Sequence, residues 1–258
     1  MTGLLQELME FGERGALIGG IVFLRVGAAM ALLPGFGERT VPVRVRLALA
    51  IVFTLIVAPG AATGPMPETI GLPFGLRLLA TETLAGLLIG IVLRLMILAL
   101  EIAGAIAAQS TSLAQLFPGG AEPQPVVSHM LVWAGLALAM MAGLHVRLCE
   151  IFLASYSILP VGAVTAAAVM KAWALDHISA AFRLAVQIAA PFVAISFLYN
   201  VALGLINRAV PQLMVSFIGA PAITLVSMLL LILALPTGLA IWSAAFSALL
   251  ADPFGSAP

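Results

Sequence analysis

Six charged residues lie within or at the ends of long apolar runs, where an ionised side chain is costly unless it has a partner. They are spread over several runs, so they do not form the closely spaced chain of groups that a proton relay needs. Pairing that holds helices or subunits together is the commoner use of such charges. The candidates are Arg25, Glu82, Arg94, Glu101, Arg183 and Arg208.

The other residues that could do chemistry are isolated. A single cysteine, Cys149, excludes a disulfide within the chain, and the three histidines have no second metal ligand at a suitable spacing. No glycine-rich loop leads into the lysine that phosphate binding requires. His145 stands alone, without a recognisable nucleophile or carboxylate partner. The sequence therefore predicts a protein that is not an enzyme and that uses no metal and no cofactor.

The composition predicts that helices in a membrane position these residues. Of 258 residues, 63% are apolar and only 9% are charged, whereas a soluble domain has about a quarter charged residues. Eleven basic and eleven acidic residues cancel, so we expect no nucleic-acid partner. We predict an all-α, polytopic membrane protein of about six to eight hydrophobic helices, several broken by proline or glycine. The whole chain, residues 1–258, is predicted to form a single integral-membrane domain.

The apolar runs differ in length from simple membrane spans, which need about 20 residues each. The second run is short, and the third, at about 50 Å of helix, is too long for one bilayer core. Pro221 and Pro236 predict that the last run divides into two helices. The runs cover about 16–33, 47–58, 76–108, 126–148, 151–159, 178–206 and 213–250.

A polar segment follows the third run and contains several apolar side chains among Ser, Thr, Gln and Gly. One interpretation is a flexible loop that fills a constriction and is then displaced. The other is a solvated connector between two helices. The residues that favour the first interpretation are Gln109, Ser110, Leu113, Leu116, Phe117, Pro118 and Gly119.

Several stretches together resemble the FliR family of flagellar type III export-gate proteins, whose virulence-system counterpart is called SctT. The most specific are the charged turn from Glu38 to Arg46 and the polar sequence from Asn207 to Gln212. Similarity also extends through residues 25–34, 101–119, 143–145, 159–160 and 200–206. The resemblance covers nearly the whole chain.

This resemblance implies a subunit that joins FliP-like and FliQ-like subunits in a hetero-oligomeric helical complex, on which an FlhB-like subunit docks. In such an assembly the helices are steeply inclined, which agrees with the irregular run lengths. The family's central loop, which plugs the closed pore, corresponds here to about residues 107–125. In this chain Gln109 is followed by Ser110 rather than glycine, and Phe117 replaces the usual acidic residue before the Pro-Gly pair.

We therefore predict a non-enzymatic structural and gating subunit of the flagellar type III protein export gate, lining and plugging the channel that secretes unfolded flagellar proteins. It would lie in the bacterial inner membrane at the flagellar basal body, in contact with lipid and, transiently, with unfolded export substrates. One alternative is the equivalent subunit of a virulence-type injectisome. An alternative from a different class is a self-contained proton-coupled secondary transporter.

The predicted site residues fall into two groups, neither of them catalytic. The first is the plug set, from Gln109 to Gly119, given above. The second contains polar residues that are predicted to be buried or to hold the assembly together: Arg25, Arg44, Glu82, Arg94, Glu101, Asn200, Asn207, Arg208 and Gln212.

Overall fold

The computed structural model describes residues 2–38, 40–62, 71–110, 126–164, 166–209 and 215–255. Side-chain surroundings are described for the same residues except 2–6, 8, 10–11, 167, 207 and 215–224. This part of the chain contains no β-strand and folds into helices α1 (Thr2–Met30), α2 (Val43–Ala61), α3 (Leu72–Ser110), α4 (Val126–Met141), α5 (Leu144–Ile158), α6 (Ala167–Ala209) and α7 (Val215–Ala251).

Four of these helices are long and apolar enough to cross a membrane, and a fifth span results if α4 and α5 count as one broken span. The four single stretches are Val43–Ala61, Leu72–Ser110, Ala168–Ile206 and Leu225–Ala251. Large apolar side chains on α2, α6 and α7 are exposed, as expected of surfaces that face lipid or other subunits. The prediction of an all-α, polytopic membrane protein is therefore confirmed.

Helix α2 is longer than the apolar run from which it was predicted. It begins at Val43, immediately after Pro42, and includes both Arg44 and Arg46. It also continues through Pro59 in its last turn. Hydropathy alone missed these ends because a helix includes polar residues wherever the backbone geometry permits. With 19 residues, α2 has the length of a membrane span.

The predicted division of the last apolar run is wrong. Helix α7 is continuous from Val215 to Ala251 and passes through both Pro221 and Pro236. Helix α6 likewise continues through Pro191. A proline removes one backbone donor but does not end a membrane helix when neighbouring groups satisfy the freed carbonyl.

The fourth predicted run divides earlier than its hydropathy indicates. Helix α4 ends at Met141 and α5 begins at Leu144. Gly143 between them has a φ of +78°, a left-handed conformation that glycine adopts without a steric penalty and that commonly follows a helix C-terminus. The glycine therefore sets the break.

The chain forms two compact units. Unit 1 contains Met1–Arg94, Gly143–His177 and Leu250–Ala257. Its core includes one face of α1, with buried Ile18, Ile21, Val22, Val26 and Ala29 at helical spacing. In unit 1, α2 packs against both α1 and α5.

Unit 2 contains Leu95–Ala142 and Ile178–Leu249. The indole of Trp242 stacks on Phe246 with ring centroids 4.8 Å apart. Its Nε1–H donates a 2.8 Å hydrogen bond to the carbonyl oxygen of Met96. A Cβ atom at Gly135 would collide with the side chain of Leu100, so the glycine permits close packing of α4 against α3.

Candidate functional site

A buried ion pair in unit 1 joins α1 to α3. Arg25 is 1% exposed and Glu82 is 0% exposed, and Arg25 Nε donates to Glu82 Oε2 at 2.8 Å. Arg25 Nη1 donates to Ser155 Oγ, and its Nη2 donates to the carbonyl oxygen of Leu159, each at 2.8 Å. Glu82 Oε1 accepts the backbone N–H of Gly162 at 3.1 Å. The pair thereby joins α1, α3, α5 and the turn that follows α5.

Two glycines of α3 permit the close approach of α1. A Cβ atom at Gly86 would collide with the carbonyl oxygen of Arg25, and one at Gly90 would lie 2.8 Å from the carbonyl oxygen of Ala29. The spacing of four residues places both glycines on one face of α3. Small residues at such positions let helix backbones meet in a membrane.

An aromatic ring covers the guanidinium of this pair. The Cζ atom of Arg25 lies 3.8 Å from the ring centroid of Tyr156, within the range of a cation–π contact. Arg25 thus has a carboxylate, a hydroxyl, a carbonyl and an aromatic face as neighbours. A guanidinium so completely surrounded can fix helices in place, but it is not free to bind a passing ligand.

A second ion pair in unit 1 links the turn after α1 to α3. Arg94 Nη1 donates to Glu38 Oε1, and both side chains are 28% exposed. Arg46 Nη2 adds a 3.0 Å hydrogen bond to the carbonyl oxygen of Glu38. The pair fixes the charged turn that resembles the family pattern, whereas Arg44 is exposed on α2.

In unit 2, side chains of α6 contact the C-terminal end of α3. The hydroxyl of Ser196 donates to the carbonyl oxygen of Ser110, the last residue of α3. The carboxamide of Asn200 donates to the carbonyl oxygen and to Oγ of Ser196, at 2.9 and 3.4 Å. Ser110 Oγ donates to the carbonyl oxygen of Ala107 at 3.0 Å. The bonds to Ser110 and Ala107 satisfy carbonyl groups in the last turn of α3, which have no partner within the helix.

The N-terminal turn of α4 packs against α3 at Glu101 and Gly104, before the C-terminal end of that helix. The hydroxyl of Ser128, which is buried, donates to the backbone carbonyl oxygen of Glu101 at 2.7 Å. A Cβ atom at Gly104 would collide with the backbone of Ser128. Residues 111–125 therefore connect the end of α3 to the start of α4, and each of these helix ends contacts another helix of unit 2.

The remaining predicted site residues have varied positions. Gln109 and Arg208 are exposed, and Glu101 is half-buried. Asn207 lies in α6, and its side chain is outside the described set. The predicted residues that lie outside the described part of the chain are Leu113, Leu116, Phe117, Pro118, Gly119 and Gln212.

Several residues that complete these clusters were not recognised from the sequence. Ser128, Ser155 and Ser196 carry hydrogen bonds between elements, yet an isolated serine in an apolar helix has no pattern that reveals its partner. Tyr156 is one of only two tyrosines, which is a weak signal. Among the residues that the structure describes, no three histidine, cysteine or acidic side chains are grouped for a metal ion.

Comparisons with known proteins match most of the chain. Residues 17–249 match the family described as bacterial export proteins, family 1. The chain is 33% identical over 238 residues to the flagellar biosynthetic protein FliR of Caulobacter vibrioides, covering 90% of this chain and 94% of the relative. It is 28% identical to FliR of Escherichia coli, covering 77% of this chain and 76% of the relative. For FliR of Bacillus subtilis the identity is 29%, with 82% of this chain and 83% of the relative covered.

Proposed function

We infer the function of this chain from its membership of a family: it belongs to the bacterial export proteins, family 1, and matches flagellar biosynthetic FliR proteins over most of its length. We propose that it is a structural and gating subunit of the flagellar type III export gate, and that it acts without catalysis. The family match over residues 17–249 is the observation that carries this proposal.

The finer part of the proposal is that residues 107–125 plug the channel at rest. Support comes from the way both ends of this stretch are held, at Ser110 by Ser196 and near Val126 by Ser128. A plug needs fixed attachment points, because otherwise its position in a constriction would not be defined. Backbone outside regular helices is acceptable at membrane depth only where protein or a water-filled path surrounds it.

We propose FliP-like and FliQ-like subunits as stable partners and an FlhB-like subunit as a docking partner, in the bacterial inner membrane. The exposed apolar side chains of α2, α6 and α7 offer surface for lipid and for such subunits. Within the complex, we propose that the whole chain acts as one export-gate domain.

The plug is tested by deleting Gln109–Pro118 in the chromosomal copy and measuring uptake of a small membrane-impermeant compound by cells that assemble the gate. We expect the deletion variant to leak and the wild type to remain tight, because small ions must be blocked at rest. The matched control is the same deletion variant in cells that lack the partner subunits. No leak is expected there, because no gate is assembled. Wild-type permeability in cells with a fully assembled complex would refute the plug.

The partners are tested by affinity purification in mild detergent, with the neighbouring membrane proteins co-expressed and identified by mass spectrometry. One large complex with FliP-like and FliQ-like proteins is the expected result. A stable particle of this chain alone would contradict the proposal and favour a self-contained transporter. Whether loss of this chain stops the source cell from exporting flagellar proteins or virulence proteins distinguishes the two type III systems.

A further inference from the structure

The C-terminal end of α3 lies beside the middle of the membrane segment of α6. From Leu184 to Asn207, α6 has 24 residues without a charged side chain, bounded by Arg183 and Arg208. Such a helix is about 36 Å long, which matches a hydrocarbon core of about 30 Å with its borders. Ser196, which contacts the end of α3, lies near the middle of this segment.

A helix end at this depth creates a polar region where lipid offers no partners. The last four carbonyl groups of α3 have no partner within the helix, and an unsatisfied backbone group in hydrocarbon costs several kcal/mol. Ser196 satisfies the carbonyl of Ser110, and the carboxamides of Gln109 and Asn200 are exposed at the same end. We name these four residues, Gln109, Ser110, Ser196 and Asn200, the polar end cluster.

The chemistry of this cluster is neutral throughout. It consists of two hydroxyls, two carboxamides and backbone carbonyls, without an ionised group. The side chain of Asn200, which is exposed, donates its described hydrogen bonds through Nδ2. Neutral donors and acceptors suit a peptide backbone, whose N–H and C=O groups are the same in every extended chain.

Asn200 and Leu198 lie at nearly the same depth along α6 but on different sides of the helix. The buried residues Phe192 and Ser196 mark the packed face of α6, and Asn200 follows Ser196 by one turn. Leu198, 66% exposed, lies about 200° around the helix from Asn200. Cysteines at positions 200 and 198 would therefore report on two different surroundings at the same depth.

We propose that the polar end cluster faces the water-filled path of the assembled gate and forms transient hydrogen bonds with the backbone of the passing, unfolded polypeptide. This inference rests on the proposed channel function and specifies a ligand class and the residues of α6 that contact it. Lipid and a neighbouring subunit are the other possible surroundings of the cluster, and the experiment below distinguishes them.

The test measures the reaction of single cysteines with a charged, membrane-impermeant thiol reagent in the purified complex, reconstituted in lipid nanodiscs that leave both faces open. The natural cysteine is first removed with Cys149→Ser. Asn200→Cys reports on the cluster, Leu198→Cys is the matched control at the same depth, and Gln109→Cys repeats the measurement from α3. A small membrane-permeant maleimide confirms that each thiol is able to react.

We expect Asn200→Cys to react at least about tenfold faster than Leu198→Cys, because the thiolate forms in water and not in hydrocarbon. An export substrate arrested in the channel should reduce that rate to the level of the control. Fast labelling that an arrested substrate leaves unchanged would overturn the contact with polypeptide.

Slow labelling of both Asn200→Cys and Gln109→Cys would overturn the inference and indicate that lipid or a partner subunit covers the cluster. If labelling is slow but cells that carry the deletion of residues 109–118 leak, the channel function stands and only this inference fails. If neither labelling nor leakage is observed in an intact complex, the proposed function itself fails.

Discussion

Removing one partner of the Arg25–Glu82 pair should destabilise the chain more than removing both. Glu82→Leu leaves the guanidinium of Arg25, which is 1% exposed, without its carboxylate. Breaking a buried pair in this way costs about 3–5 kcal/mol, because the remaining charge is desolvated and unpaired. The backbone N–H of Gly162 also loses its acceptor, so the upper part of this range is expected.

The double variant Arg25→Met with Glu82→Leu removes both charges and replaces them with apolar groups of similar size. Such replacements are often neutral or stabilising by about 1–4 kcal/mol. Here the Leu159 carbonyl and the Gly162 N–H lose their partners, at about 0.5–1.5 kcal/mol for each net hydrogen bond. We therefore expect the double variant to lie within about 2 kcal/mol of the wild type.

The assay is unfolding of the purified protein in mild detergent by titration with sodium dodecyl sulfate, followed by circular dichroism. Arg147→Ala is the control, since it breaks the exposed Arg147–Glu150 pair, with side chains 54% and 56% exposed. That change should cost less than about 0.5 kcal/mol. The reasoning is refuted if Glu82→Leu loses no more stability than Arg147→Ala. It is also refuted if the double variant loses as much stability as the single variants Arg25→Met and Glu82→Leu combined.

Two further predictions concern close packing. Gly86→Ala should lower stability by about 1–3 kcal/mol, because its Cβ atom would collide with the carbonyl of Arg25. Gly20→Ala is the control and should not lower stability, because no atom lies within 4 Å of its new Cβ atom. Equal midpoints of the two variants in the same titration would contradict this prediction. Trp242→Phe should cost about 1 kcal/mol from the lost hydrogen bond to Met96, measured as a lower midpoint in the same titration. An unchanged midpoint would mean that this bond contributes nothing.

The helices were largely predictable because hydropathy reports directly on contact with lipid. Their ends were less predictable, since Pro59, Pro221 and Pro236 all lie within helices. Proline ends helices reliably in water, where the freed carbonyl is hydrated and competing conformations are available. In a membrane the alternatives to a helix are so costly that the helix continues.

The charged candidates were predictable as a class but not as pairs. Arg25 and Glu82 are 57 residues apart, and no local pattern states which helices pack together. Arg94 and Glu101 share one face of α3, yet Arg94 pairs with Glu38 in the turn that follows α1. Partner choice depends on tertiary packing, here on the glycines of α3 that admit α1.

The buried guanidinium of Arg25 also has a consequence for how the chain is made. During synthesis, Arg25 emerges 57 residues before Glu82 and 130 residues before Ser155. A guanidinium that is buried without its partners is costly, so α1 cannot complete its contacts when it first leaves the ribosome. Unit 1 is therefore completed late in translation, and a chain truncated before α5 would present Arg25 without its full set of partners.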